Sequence, residues 1–312
     1  MIKKVIVIAG PTASGKTNLA INLALKLNGE IISADSRQVY KRIPIATAIP
    51  SMKERQGIQH HFMEILNLNE TYTAGEFGKQ GRAAIEDIFS RGKQPIVCGG
   101  SGLYIRSLID GLFDAEIKDE KIRKDLYDKL KEKGKEFIYN ELVEIDKIAA
   151  STMIPQNIRR VIRALEVYYS SGKKISELQQ KKIKIDFKTV QFGIFNDRAK
   201  LYEKINNRVD QMFTKGLIEE VEWLRDNGYN SHEYNSLNTV GIKEVMAYLD
   251  GDLKQEEMKD LIKQNTRRYA KRQITWFGGD KRINWIEIDE TFSENQITNE
   301  VIKVFRGRSI DS

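Results

Sequence analysis

The octet Gly10-Pro11-Thr12-Ala13-Ser14-Gly15-Lys16-Thr17 constrains this chain more than any other stretch, because it fits G-x-x-x-x-G-K-[ST] where that pattern has a physical meaning. Before it, the run VIVIA at 5–9 is β-branched and continuously apolar, the pattern of a strand buried on both faces of a parallel sheet. After it, Leu19, Ala20, Leu23, Ala24 and Leu27 recur at helical spacing over 17–27, and Asn28-Gly29 supplies a helix stop. Between a strand and a helix, the glycines let backbone N–H groups turn inward around phosphate oxygens. The helix N-terminus adds favourable potential, and the Lys16 ammonium neutralises charge. Thr17 is placed to help hold a magnesium ion. An ordinary glycine-rich turn would not need the whole octet.

The same strand-then-helix rhythm continues. Residues 30–34 read as a second short buried strand, leaving Asp35 and Ser36 where its carboxyl end opens onto a loop, which completes a βαβ unit. The spacing predicts a helix over 75–91 and a third strand over 94–98 that ends in Gly99-Gly100-Ser101-Gly102. From about Asp114 the chain becomes a charged, helix-favouring stretch through Ile148, resuming over 157–169, which reads as a helical insertion. A β-type run returns at 190–195, followed by amphipathic helices over 199–227 and 256–276 and a last strand over 284–288. The tail after Arg306 carries little signal. The expected fold class is α/β, a P-loop NTPase-like parallel-sheet core formed by 1–113 and 187–312 with a helical insertion domain at 114–186.

Composition narrows the partners. At 312 residues the chain exceeds one average domain, and a net charge of +7 favours an anionic partner, whether nucleic acid, phosphorylated substrate or acidic lipid. A single cysteine, Cys98, excludes an intramolecular disulfide and a cysteine-rich zinc module and suits a reducing compartment, so a cytoplasmic location is expected. The first apolar run stops at Gly10-Pro11, too short for a signal-peptide core, and no run approaches the roughly 18 apolar residues that cross a bilayer. No membrane partner is expected. His60-His61 begins H-H-x-x-E rather than the zinc pattern H-E-x-x-H, so no zinc is expected, and the two histidines read as supports of a loop near the site.

A P-loop is shared by kinases, other ATP-binding and nucleotide-binding proteins, and any enzyme that expels a pyrophosphate. Asp35, on the same sheet edge as Lys16, suits a carboxylate that takes a proton from an attacking nucleophile; it equally suits a loop cap or a water-mediated magnesium contact. On residues alone the reaction class stays open.

From this point a resemblance adds information. Asp35-Ser36-Arg37-Gln38-Val39-Tyr40 resembles the D-S-x-Q-x-Y element of the tRNA dimethylallyltransferase family, also known as the isopentenyltransferases. His60-His61 resembles its HH segment, Gly99 to Ile105 its GGTGLY element, and Arg163-Ala164-Leu165-Glu166-Val167 its RALEV helix. Arg208-Val209-Asp210, the GLIEEV block at 216–221 and the block TRRYAKRQITWF at 266–277 look like family blocks in the same order. The match runs from about Val5 to Phe277.

The resemblance implies a transferase that moves a dimethylallyl group from dimethylallyl diphosphate to N6 of adenine 37 in the tRNA anticodon loop, releasing diphosphate, in a tRNA-modification step. Gly10 to Thr17 would hold the diphosphate with no nucleotide hydrolysed, and Mg²⁺ would sit at Thr17. Lys16 and Arg208 would serve the leaving group, Asp35 would orient the amine and take its proton, Gln38 would read the adenine edge, and Ser101 would contact the same region. The tRNA face would include Asp35, Ser36, Arg37, Gln38, Ser101, Arg123, Arg159, Arg160, Arg163, Lys243, Lys271, Arg272, Gln273 and Trp276. The resemblance also favours a monomer. Three positions depart from the family pattern: Ser101 replaces threonine, Ile242 replaces tyrosine, and Asp146-Lys147 replaces Asp-Pro. Rival readings are a small-molecule P-loop kinase, an enzyme that prenylates free adenine nucleotides, and a noncatalytic RNA-binding module.

Overall fold

The structure, a computed structural model, describes residues 3–111, 117–180, 183–195, 197–230, 233–287 and 293–307. The chain divides into two compact units. One comprises Met1–Tyr72, Phe77–Ile109 and Asp186–Ser312, the other Thr73–Glu76 and Asp110–Ile185. The boundary expected at 113 and 114 lies outside the described residues.

The first unit begins with β1 (Lys4–Ala9), α1 (Lys16–Leu27), β2 (Gly29–Ser33), α2 (Pro44–Thr47), α3 (Met52–Arg55) and β3 (His60–His61). α4 (Ala74–Ser90), β4 (Gln94–Gly99) and α5 (Gly102–Ile109) follow. The second unit carries α6 (Glu120–Ile145), α7 (Lys147–Ala150), α8 (Ile158–Ser171) and α9 (Ile175–Gln179). The chain then returns to the first unit with β5 (Lys188–Phe195), α10 (Arg198–Thr214), α11 (Leu217–Asp226), α12 (Ile242–Leu249), α13 (Gln255–Gly278), β6 (Ile283–Glu287) and α14 (Glu294–Gly307).

The six strands form one sheet in the order β3-β2-β4-β1-β5-β6, and every pairing is parallel. This is the α/β architecture the sequence pattern predicts. Val5 to Ala9 are fully buried, as a continuously apolar central strand requires. On one face of the sheet Ile6, Ile8, Ile31, Ile96 and Phe192 pack with Leu19, Leu23, Ile297 and Val301, so α1 and α14 share a core. Each such side chain removed from water contributes about 1.5–3 kcal/mol.

Several elements differ from expectation. The helical span over 199–227 is two helices, because Gly216 takes φ 96° and ends the first. His60-His61, expected to support a loop near the site, forms an edge strand that pairs with Ile31 and Ile32 of β2. α14 lies in a stretch for which no element is expected from the sequence pattern, and Ile288, expected to end the last strand, lies outside the described residues. Asp146 is buried and caps α7, its carboxylate accepting from Ala149 N at 3.0 Å and Ser176 N at 3.0 Å, so the helix start needs no proline. Ile242 is fully buried at the start of α12, where it serves packing and offers no surface contact. In the second unit Leu126, Ile138, Leu142, Val161, Leu165 and Leu178 form a separate core, and α6 is broken at Gly134, φ 82°.

A buried charge cluster fastens the β3 edge. The Glu30 carboxylate, 3% exposed, accepts from Arg91 Nη2 at 2.8 Å and Lys93 Nζ at 2.7 Å, and pairs with His61 Nε2 at 2.8 Å. The Arg91 hydrogen bonds, against the opposing effect of burial, hold its pKa far below the ordinary carboxylate value of 4.5. A depressed native pKa stabilises the fold fully above the unfolded value and loses that contribution as pH falls below it. Glu30→Gln is therefore expected to cost about 2 kcal/mol at pH 7. Urea unfolding should show the gap between parent and variant narrowing from pH 7 to pH 3; an equal gap at both would remove the ionic role.

Candidate active site

Three loops leave the carboxyl ends of β1, β2 and β4 on one sheet edge, where open α/β sheets bind ligands. They surround a cavity of about 360 Å³ that α10 and α13 complete. The loop after β1 turns at Ala13, φ 61°, and at Gly15, φ 92°, which caps α1. Lys16 is half-buried, its ammonium donating to Pro11 O at 2.9 Å. Burial lowers its pKa, Cys98 and Asp35 oppose that, and Arg208 adds to it. The Arg208 guanidinium is likewise lowered by burial and supported by Asp35. Two cations and one carboxylate thus converge from α1, α10 and the β2 loop, and all three side chains line the cavity together with Thr17.

Asp35 reaches that point because β2–β4 pairing continues past the strand ends. Ala34 N donates to Cys98 O at 2.8 Å, and Ser101 N donates to Ala34 O at 3.1 Å. Gly99 permits it, since a Cβ there would lie 2.1 Å from Ala34 O. Asp35 Oδ1 then accepts from Arg37 N at 2.9 Å, an Asx turn that orients the carboxylate. Ser101 Oγ accepts from Ser36 N at 2.9 Å and lies within hydrogen-bonding reach of the Tyr269 phenol. Burial, aided by Asp35, pushes Tyr269 up to about 12, so it remains a neutral hydroxyl at physiological pH. The serine that replaces threonine keeps all of these hydroxyl contacts. Burial pushes the Cys98 thiol up to about 11, which makes it a neutral part of the floor.

The structure distributes the remaining predicted site residues unevenly. Arg37, Gln38, Lys243, Arg272 and Gln273 line the cavity. The Gln38 amide is engaged within the protein, its oxygen accepting from Ser33 Oγ at 2.9 Å and its nitrogen donating to Thr47 O at 3.2 Å. Reading a base would mean exchanging those bonds. Arg272 stacks over the Tyr269 ring at 5.6 Å, whereas Lys271 and Trp276 point outward, the latter 47% exposed. Gln273, expected on an RNA face, is 5% exposed and turned inward. In the second unit Arg159 and Arg160 are exposed, while Arg123 and Arg163 each reach the fully buried Glu166 at 2.9 Å. Burial would raise Glu166, but Arg163 and Arg123 hold its carboxyl below the ordinary value. Arg123 and Arg163 thus share an ion pair with Glu166 while their own side chains stay part-exposed.

Sequence reasoning did not single out Met63, Met212, Asn238 and Thr239, which also line the cavity. Among the described residues no group of three or more His, Cys, Asp or Glu is arranged to hold a metal ion. Oxygen donors suited to magnesium are nevertheless present among the lining residues, in the Thr17 hydroxyl and the Asp35 carboxylate.

Comparison with known proteins agrees with this geometry. The IPP transferase family model matches residues 38–280. The chain is 45% identical over 296 residues to a tRNA dimethylallyltransferase of Acetivibrio thermocellus, covering 94% of each chain. It is 43% identical over 304 residues to tRNA dimethylallyltransferase 2 of Geotalea uraniireducens, covering 97% of each. Among solved structures it resembles the tRNA isopentenylpyrophosphate transferase of Bacillus halodurans, with a TM-score of 0.72, 36% identity and 97% coverage of both chains. It also resembles a eukaryotic dimethylallyltransferase acting on tRNA, with a TM-score of 0.84 and 34% identity, covering 99% of this chain and 81% of that one.

One wall of the cavity rests on a titrating group. Glu220 accepts from Ile45 N at 2.8 Å and Ala46 N at 2.9 Å, holding α2, whose Ala46 and Thr47 line the cavity. Burial outweighs those two bonds and pushes the carboxyl up to about 7 from 4.5. A raised native pKa means that the folded protein holds a proton the unfolded chain has lost, so stability falls as pH rises from 4.5 to 7. Glu220→Gln should lack this slope. Its melting temperature relative to the parent should become more favourable between pH 5 and pH 8, and a constant difference would show that Glu220 does not titrate there.

Proposed function

The chain belongs to the IPP transferase family, and from that premise we propose that it is a tRNA dimethylallyltransferase, transferring a dimethylallyl group from dimethylallyl diphosphate to N6 of adenine 37 in the tRNA anticodon loop. The observation that carries this reading is the convergence of Lys16, Arg208 and Asp35 in one cavity at the P-loop edge.

The chemistry follows from what each group does well. The bond between the allylic carbon and the diphosphate oxygen breaks, with the electron pair leaving on the diphosphate, and a bond from N6 to that carbon forms. An exocyclic amine is a weak nucleophile, so the barrier is lowered chiefly by stabilising the departing anion. Lys16 and Arg208 supply fixed positive charge, worth more in a half-buried cavity than in water. The backbone of Gly10 to Thr17 binds and orients the diphosphate. Thr17 would hold a magnesium ion, which would supply further charge neutralisation at the leaving group. Asp35 accepts the N6 proton, and its Asx turn keeps it aimed. Ser101 and Tyr269 present neutral hydroxyls beside it.

The RNA reaches this site over a basic and aromatic surface. In the first unit that surface is offered by Lys271 and Trp276, exposed on α13 for phosphate and base contacts; in the second unit, taken by itself, Arg159 and Arg160 are exposed on α8, and we assign the insertion at 114–186 to tRNA contact. Among the described residues no helix is long and apolar enough to cross a membrane, and the lone buried Cys98 suits the reducing cytoplasm.

Incubation with labelled dimethylallyl diphosphate, ATP and unmodified tRNA should place label in tRNA with no ATP consumed; phosphate transfer from ATP would overturn the assignment. Asp35→Ala should lower turnover by roughly 10²-fold or more with little change in tRNA affinity. Undiminished turnover would take the proton-acceptor role from Asp35. Removing the charge of Lys271 should weaken tRNA binding and reduce the salt slope by about one, and an unchanged slope would place that lysine off the RNA.

A further inference from the structure

The geometry points to Gln273 as a positioning residue for the diphosphate cradle, rather than an RNA contact. This inference rests on the transferase reading for its substrate, though not for its geometry. Gln273 sits on α13 and is 5% exposed. Its Oε1 accepts from Thr12 N at 2.9 Å, and its Nε2 donates to Gly100 O at 2.9 Å. One amide therefore joins the P-loop after β1 to the glycine loop after β4. Both of its ends are engaged, so rotation would break two buried hydrogen bonds.

The site is built to receive that amide. A Cβ on Gly100 would lie 2.2 Å from Gln273 Nε2, and one on Gly102 would lie 2.1 Å from Trp276 Nε1. Two glycines of the β4 loop thus make room for two side chains one helical turn apart on α13. Thr12 immediately precedes Ala13, whose left-handed φ of 61° starts the turn that aims the following amides and Lys16. Anchoring Thr12 holds that turn in the absence of ligand, and a preorganised cradle binds its anion without first losing conformational freedom.

The direct test uses inorganic pyrophosphate as the probe, with calorimetry in magnesium buffer. Gln273→Met keeps the volume and packing but makes neither hydrogen bond. Gly100→Ala acts chiefly on the flexible end of Gln273, since the added Cβ would lie 2.2 Å from Gln273 Nε2 against 3.3 Å from the Gly10 carbonyl oxygen, and Gly100 does not use the left-handed backbone region. Each variant should weaken pyrophosphate binding about tenfold. The double variant should be no weaker than the worse single one, because both lesions remove the same contact. KM for dimethylallyl diphosphate should rise in parallel, with a smaller change in kcat, and tRNA affinity should stay within about twofold. Pyrophosphate binding within about twofold of the parent in Gln273→Met, or a double variant as weak as the product of the singles, would overturn the proposal. So would lost tRNA affinity with pyrophosphate binding intact. If the parent showed this pyrophosphate dependence yet moved no prenyl group to tRNA, the positioning role would stand and the transferase reading would fall.

Discussion

The site depends on backbone pairing that runs beyond the end of the sheet. Ala34 lies one residue past β2, yet it exchanges hydrogen bonds with Cys98 and Ser101 as though the ladder had not ended. A side chain at Gly99 would prevent this by driving into Ala34 O. The consequence is that Asp35 and Ser36 are carried by the sheet rather than by a free loop. Residues on rigid elements hold catalytic geometry better than residues on loops, and here two backbone bonds and one missing methyl group make the difference.

The electrostatics follow from that rigidity. Lys16 and Arg208 are both lowered by burial, and two like charges in one cavity would repel were Asp35 not beside them. The carboxylate balances part of the cationic charge, and the remaining excess suits a multivalent anion. Such an arrangement discriminates by charge before it discriminates by shape. The neutral lining supports it. Cys98 and Tyr269 stay protonated, so neither adds a negative charge that would compete with the phosphate for the two cations.

How much of this was legible in the sequence depended on how many residues carried each signal. β1 and the P-loop were readable because five apolar residues and eight motif residues stand in order. β3 was not, since a two-residue strand has no period to detect, and its place is set by the Glu30 cluster and the register with β2. The break between α10 and α11 was visible only as Gly216, and an isolated glycine does not by itself end a helix. The ion pair that Arg123 makes with Glu166 was not legible, because the two residues are distant in sequence. Gln38 and Gln273 were identified as site residues by resemblance, but no motif states whether an amide faces substrate or protein.

α13 shows what periodicity can still recover. Met258, Ile262, Ala270, Gln273 and Phe277 are its buried positions, and they recur at spacings of three, four and eight along the helix. Gln273 thus falls on the apolar stripe, where an amide must find partners inside the protein. Lys271 and Trp276 fall outside that stripe, so one helix turns different chemistry to the protein and to solvent within two turns. Gln273 touches the glycine loop that shapes the cradle, the part-exposed Trp276 indole packs on Gly102 at the edge of that loop, and Lys271 carries its charge to solvent. A single rigid element therefore contributes to both substrate surfaces, and the distance between them is set by helix geometry instead of by the folding of a loop.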